Sequence, residues 1–200
     1  MRSVCMAVVA LLMAASLGVA ATMADVAPEK PKAEEPKEDS KKDEDEIIDM
    51  PWTAEKVQKS IKKGTEFTYM TLTHPGGKET KDYAVIEVIE TTDENCKIKR
   101  SRADFEGKVL GEGTESEVKW ADFMNPKLKK SKVTVTEESI TVGAGKFECK
   151  VYKRDDSRNN VPAHSTFWFA KDQPGVLVKS YSFNGMAAVI VTLEKCKMGK

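Results

Sequence analysis

Chemistry in this chain would have to start from two histidines, a few cysteines and several paired carboxylates. His74 sits in a turn before Pro75-Gly76-Gly77, and His164 opens an apolar run after Pro162. Neither has a partner at metal-ligand spacing, so both read as turn or surface histidines. A triad built on His164 would need a nucleophile beside it, but Ser165 is its neighbour in a strand and points to the opposite face. Cys96 and Cys149 are flanked by strand residues, where a thiolate gains no help from a helix N-terminus. The pairs Asp155-Asp156 and Glu137-Glu138 read as solvated turns. The run Asp155-Asp156-Ser157-Arg158-Asn159-Asn160 lacks the alternation and the late glutamate of a calcium loop. No catalytic residue, metal site or cofactor is therefore assigned.

Two other sets of residues bear on binding. Lys127-Leu128-Lys129-Lys130-Ser131-Lys132 is the densest basic run; it reads first as a solvated loop, with anionic lipid, polysaccharide or the acidic tail as the alternative contact. It lacks interleaved aromatics, which makes single-stranded nucleic acid a poor fit. Phe167, Trp168 and Phe169 are consecutive, so in a strand Phe167 and Phe169 share one face and Trp168 takes the other. One of these faces is the core. The other is covered by a helix or by the stretch holding Trp120 and Phe123, or it lies open as an apolar groove lined by Trp120, Phe123 and Trp168. An open groove would take a lipid-like ligand or an envelope protein.

The elements that position these residues are mostly strands. Trp52 to Gly64 predicts one surface helix, with Thr53 as N-cap, Gly64 past its end, and Val57 and Ile61 as an i,i+4 apolar pair. Everything after it alternates with period two between turn signals. Strands are expected over Thr65–Thr73, Asp82–Thr91, Cys96–Phe105, Lys108–Lys119, Lys146–Arg154, His164–Ala170, Val176–Phe183 and Met186–Cys196. Lys132–Thr136 and Ser139–Val142 flank Glu137-Glu138. Gly111 and Gly113 mark a bulge or sharp bend, and Asn184-Gly185 is a strong hairpin signal. The fold expected is mainly β: a curved antiparallel sheet of about nine or ten strands, a half-barrel or open barrel, with the helix packed on it.

Around this domain the chain divides into three. Residues 3–24 carry no charge, and an apolar run ends in small residues, which reads as a secretory signal peptide over 1–21. Residues 22–49 read as a disordered acidic tether with interspersed prolines; from Asp25 to Asp49 there are 11 acidic and 5 basic residues. Residues 50–200 are the folded domain. The formal net charge of zero over 200 residues thus hides an acidic tether and a basic domain. The protein is expected to be exported, periplasmic or secreted, and not integral to a membrane once the signal is cleaved. Cys96, Cys149 and Cys196 then allow either one disulfide and one free thiol or three separate buried or reduced thiols. Strand parity turns Cys96 and Cys149 inward and mildly prefers that pair, without excluding a bridge to Cys196.

The stretch Ile140-Thr-Val-Gly-Ala-Gly-Lys-Phe-Glu-Cys-Lys-Val-Tyr152, followed by Thr166-Phe-Trp-Phe-Ala170 and Gly175-Val-Leu-Val-Lys179, resembles a pattern in exported bacterial β-proteins with a V-x-A-G-x-F-x-C hairpin. These in turn are similar to the periplasmic lipoprotein carriers of the LolA/LolB type. The resemblance implies a curved antiparallel half-barrel around a hydrophobic cavity. It carries no binding residues across, and this chain has one clear helix where the carriers have several lid elements. The reading from sequence is a non-enzymatic binding module for an apolar ligand or envelope partner. The alternative is a structural or interaction protein whose sheet is sealed.

Overall fold

The computed structural model describes residues 46–75, 78–155 and 162–200. The expected signal peptide, the tether up to residue 45 and residues 156–161 of the run weighed for calcium lie outside the described residues. Nine strands form one antiparallel sheet: β1 Glu66–Pro75, β2 Thr80–Thr91, β3 Asn95–Ala103, β4 Val109–Lys119, β5 Val133–Val142, β6 Gly145–Asp155, β7 His164–Ala170, β8 Leu177–Phe183 and β9 Ala187–Lys197. Their order is β4-β3-β2-β1-β9-β8-β7-β6-β5. Two meanders, β1–β4 and β5–β9, are joined by the pairing of β1 with β9. The sheet is not closed, so β4 and β5 are its edges.

That order forces the connection from β4 to β5 to travel from one edge of the sheet to the other. It crosses one face, and so Trp120, Phe123, Met124 and Leu128 are buried there. The same face carries Phe67 and Tyr69 on β1, Tyr152 on β6, and Phe167 and Phe169 on β7, all essentially without solvent contact. The Tyr69 hydroxyl donates to the Leu177 carbonyl at 2.9 Å, which satisfies the one polar atom that this ring brings into the core.

Thr53 caps the single helix, α1 (Ala54–Ser60), through Oγ1, which accepts from Lys56 N. The helix stops earlier than the sequence predicts. Ile61 leaves it in an extended conformation (φ −90°, ψ 116°) and becomes fully buried. Gly64 (φ +83°) then turns the chain, and its N–H donates to the Val88 carbonyl. Core burial of one isoleucine here outweighs another turn of helix. Gly175 (φ +84°) receives this end: a Cβ there would stand 3.0 Å from Ile61 Cγ1 and 3.1 Å from Val57 Cγ1.

The two short strands flanking Glu137-Glu138 prove to be one strand, β5. Its mid-strand charges find partners: Glu137 bonds Lys171 Nζ at 2.7 Å, and Glu138 accepts from the Trp168 indole. The expected irregularity near Gly111 and Gly113 is a register shift between Arg100 and Arg102 on the paired strand. The Val142–Cys149 hairpin reaches back to β9, where Ala144 N donates to the Leu193 carbonyl. That contact curls the C-terminal meander towards its own start.

Candidate functional site

The site is assembled from three pieces on the helix-covered face. The first is Glu46–Asp49, the last residues assigned to the tether. They run as a short strap beside the β4–β5 connection: Ile48 N donates to Leu128 O at 2.8 Å and Lys130 N to Glu46 O at 2.8 Å. Ile47 bridges Lys129, and Lys130 Nζ lies 3.0 Å from Glu46 Oε2. The Tyr152 hydroxyl donates to Asp49 O at 3.1 Å. Burial, with Asp49 nearby, pushes this phenol up to about 12.

The second piece is Trp52 and the start of α1. The Trp52 indole N–H donates to Ala170 O at 3.0 Å, and its ring meets Phe169 edge-on at 5.3 Å. The third is the turn after β4. Trp120 donates its indole N–H to Thr92 O at 2.9 Å and lies 6.1 Å from Phe123. Asn125 stitches this turn: Nδ2 donates to Ala121 O at 3.0 Å, and Oδ1 accepts from Lys127 N at 2.9 Å. Met124 (φ +52°) and Lys127 (φ +50°) both hold left-handed backbone conformations that side chains adopt at a cost. Lys127 is also tied to Asp122 at 2.6 Å.

Between the three pieces lies a cavity of about 290 Å³. Its walls include Ile48, Met50, Trp52, Val57, Trp120 and Phe123. Four of these six side chains carry no hydrogen-bonding N–H or O–H group, and the indole N–H donors of the other two, Trp52 and Trp120, are already engaged by backbone carbonyls. Asp49 and Asn125 add polar groups at its edge, so the cavity has an apolar wall of aromatic and aliphatic side chains with a polar margin.

The sequence-assigned groove residues separate. Trp120 and Phe123 line this cavity together. Trp168 does not join them. It pairs with Val151 and Lys179, on the face opposite Phe167 and Phe169, with Lys179 Nζ 5.2 Å from its ring centroid. The face that α1 and Trp52 cover is that of Phe169, and Trp168 is met instead by Glu138 and Lys179. Ile48, Met50, Trp52 and Met124 were not assigned to a site from the sequence. The signal available for the strap was Ile47-Ile48, the only pair of large aliphatics in the acidic segment.

The three cysteines are free thiols. Cys96 shares the helix-covered face with Ile98, whereas Cys149 pairs with Ala170 and lies on the face of Trp168. Both residues are buried but on opposite sides of the sheet, an arrangement that favours separate buried thiols over a Cys96–Cys149 bridge. Cys196 on β9 pairs with Phe67, and β1 and β2 separate it from β3. Burial pushes the Cys96 thiol up to about 12, and burial with Glu138 and Glu148 nearby pushes Cys149 up to about 11. Neither is poised as a nucleophile.

His74 lies 3.8 Å from Glu79 at the surface, and His164 stacks beside Tyr181 and Phe183 at 5.5 and 5.4 Å. Among the described residues no group of three or more His, Cys, Asp or Glu side chains could hold a metal ion, and no helix is long and apolar enough to cross a membrane.

No family model matches the chain, and no curated protein sequence matches it either. Solved structures with a similar course include one described as an exported protein with a YmcC-like fold from Bacteroides fragilis, at 15% identity and a TM-score of 0.43, covering 68% of this chain and 97% of the other. A MucA/MucB complex from Pseudomonas aeruginosa matches at 12% identity and a TM-score of 0.43, covering 73% of this chain and 56% of the other. A domain described as an outer membrane lipoprotein-sorting protein from Vibrio parahaemolyticus matches at 8% identity and a TM-score of 0.30, over 74% and 94% of the two chains. Nothing about ligands or partners passes from these proteins to this chain.

Proposed function

We propose that this protein is an exported, non-enzymatic binding module that takes a small apolar group in the cavity between the strap, Trp52 and the Trp120 turn. The observation that carries the reading is the cavity itself. It holds about 290 Å³ on a face that is otherwise filled by Phe67, Tyr69, Ile61 and Leu128. That is the low end of ligand-pocket sizes, so one aromatic ring system or the end of one acyl chain fits its scale. Export is supported by the charge-free leader with its small-residue end.

The test is a titration with the fluorescent apolar probe N-phenyl-1-naphthylamine. Saturable binding is expected for the mature chain. Ala54→Phe places a ring in the cavity from its helical wall and is expected to weaken binding tenfold or more. Trp168→Ala, on the other face, is expected to leave it unchanged. A second reading, a structural protein with a sealed sheet, is favoured by the complete burial of Ile61 and the near-complete burial of Val57 under α1. It becomes the account if no saturable binding is found.

A further inference from the structure

We infer that the strap Glu46–Asp49 is the movable wall of the cavity, so that its opening governs how fast a bound group enters and leaves. This rests on the binding reading above. The cavity walls differ in how they are held. Trp52 is pinned by its bond to Ala170 O and by Phe169. The Trp120 turn is pinned by Thr92, by Asn125 and by the Lys127–Asp122 pair. The strap rests instead on a short backbone ladder to Leu128 and Lys130, one phenol bond at Asp49 and an exposed ion pair at Glu46. Ile47 is 46% exposed even though it lines the cavity.

Peeling the strap back as far as Pro51 exchanges these bonds for water and opens the cavity along one whole side. That motion also lifts the half-buried Ile48 and Met50 from the core, while Trp52 keeps its bond to Ala170 O and its edge contact with Phe169. An ion pair at the surface contributes little to holding the strap.

The ladder supplies its own test. Ile47 and Lys129 are opposed with bonds at the flanking positions, Ile48 N to Leu128 O and Lys130 N to Glu46 O. That is a non-hydrogen-bonded pair, whose close Cα spacing suits a disulfide. Ile47→Cys with Lys129→Cys in a Cys196→Ser background of the full mature chain locks the strap when oxidised. With N-phenyl-1-naphthylamine as probe, oxidation is expected to slow both association and dissociation at least tenfold, and reduction to restore them. Rates that agree within twofold between the oxidised and reduced forms overturn the inference. Amide hydrogen exchange on the unmodified chain gives an independent readout. The Ile48 and Lys130 amides are expected to exchange together and at least tenfold faster than those of Tyr69 and Leu193. If the probe fails to bind any form, the binding reading fails. The strap's motion is then judged by exchange alone, and exchange as slow as the core overturns it.

Discussion

The two faces of β7 carry aromatic rings side by side in sequence and meet opposite fates. Phe167 and Phe169 face the helix, Trp52 and the crossing β4–β5 connection, and are 2% and 0% exposed. Trp168 faces the other way and is covered by two charged side chains, Glu138 and Lys179. The first covering is made of whole chain segments and leaves a walled space between them. The second is made of side chains, on a face where Cys149 and Val151 beside Trp168 are also fully buried. The cavity roofed by backbone therefore lies on the face over which the chain crosses.

Removing rings from the two faces sharpens the contrast most. Trp52→Ala deletes a core ring and orphans the Ala170 carbonyl, and is expected to cost about 3–5 kcal/mol in urea denaturation. Trp168→Ala removes a half-buried ring on the other face and is expected to cost about 1 kcal/mol. Equal costs would mean that the faces are equally packed. Between these lies Gly175→Ala. It forces a left-handed backbone on alanine and a methyl against Ile61 and Val57, with about 1–3 kcal/mol expected.

The smallest effect is a pH dependence that both faces share. Cys96 and Cys149 keep their protons in the folded protein up to about 12 and about 11, above the ordinary thiol value of 9.0. A folded-state value raised in this way contributes stability that is complete below pH 9 and is lost as pH rises from there through the folded values. Denaturation midpoints are therefore expected to fall between about pH 9 and pH 11, and Cys96→Ala with Cys149→Ala to flatten that slope. At pH 8 a thiol reagent should modify Cys196, which is only half-buried, well before the other two.

Alternation of residue types made the strands, the turns and the helix cap readable in advance, because period two and Thr53 are local signals. His164–Ala170 was legible to the residue. What was not legible depends on distant contacts. Glu137 and Glu138 looked like a strand break because Lys171 and Trp168, their partners, are some thirty residues away. Helix α1 ends early because Ile61 is needed beside Gly175. Of the site, Trp120 and Phe123 were identified, but no local pattern says that β4 and β5 lie at opposite edges of the sheet. That topology alone carries the Trp120 turn across to Trp52, and brings Ile48 out of an acidic segment to complete the wall.

The three tryptophans of the chain offer the most direct test, since Trp52 and Trp120 line the cavity and Trp168 lies on the other face. Each indole N–H gives its own resonance in a two-dimensional nitrogen–proton NMR spectrum. Addition of N-phenyl-1-naphthylamine is expected to shift the Trp52 and Trp120 signals and leave Trp168 in place. A shift confined to Trp168, or no shift in any of the three at saturating probe, would contradict the placement of a binding site beneath the strap.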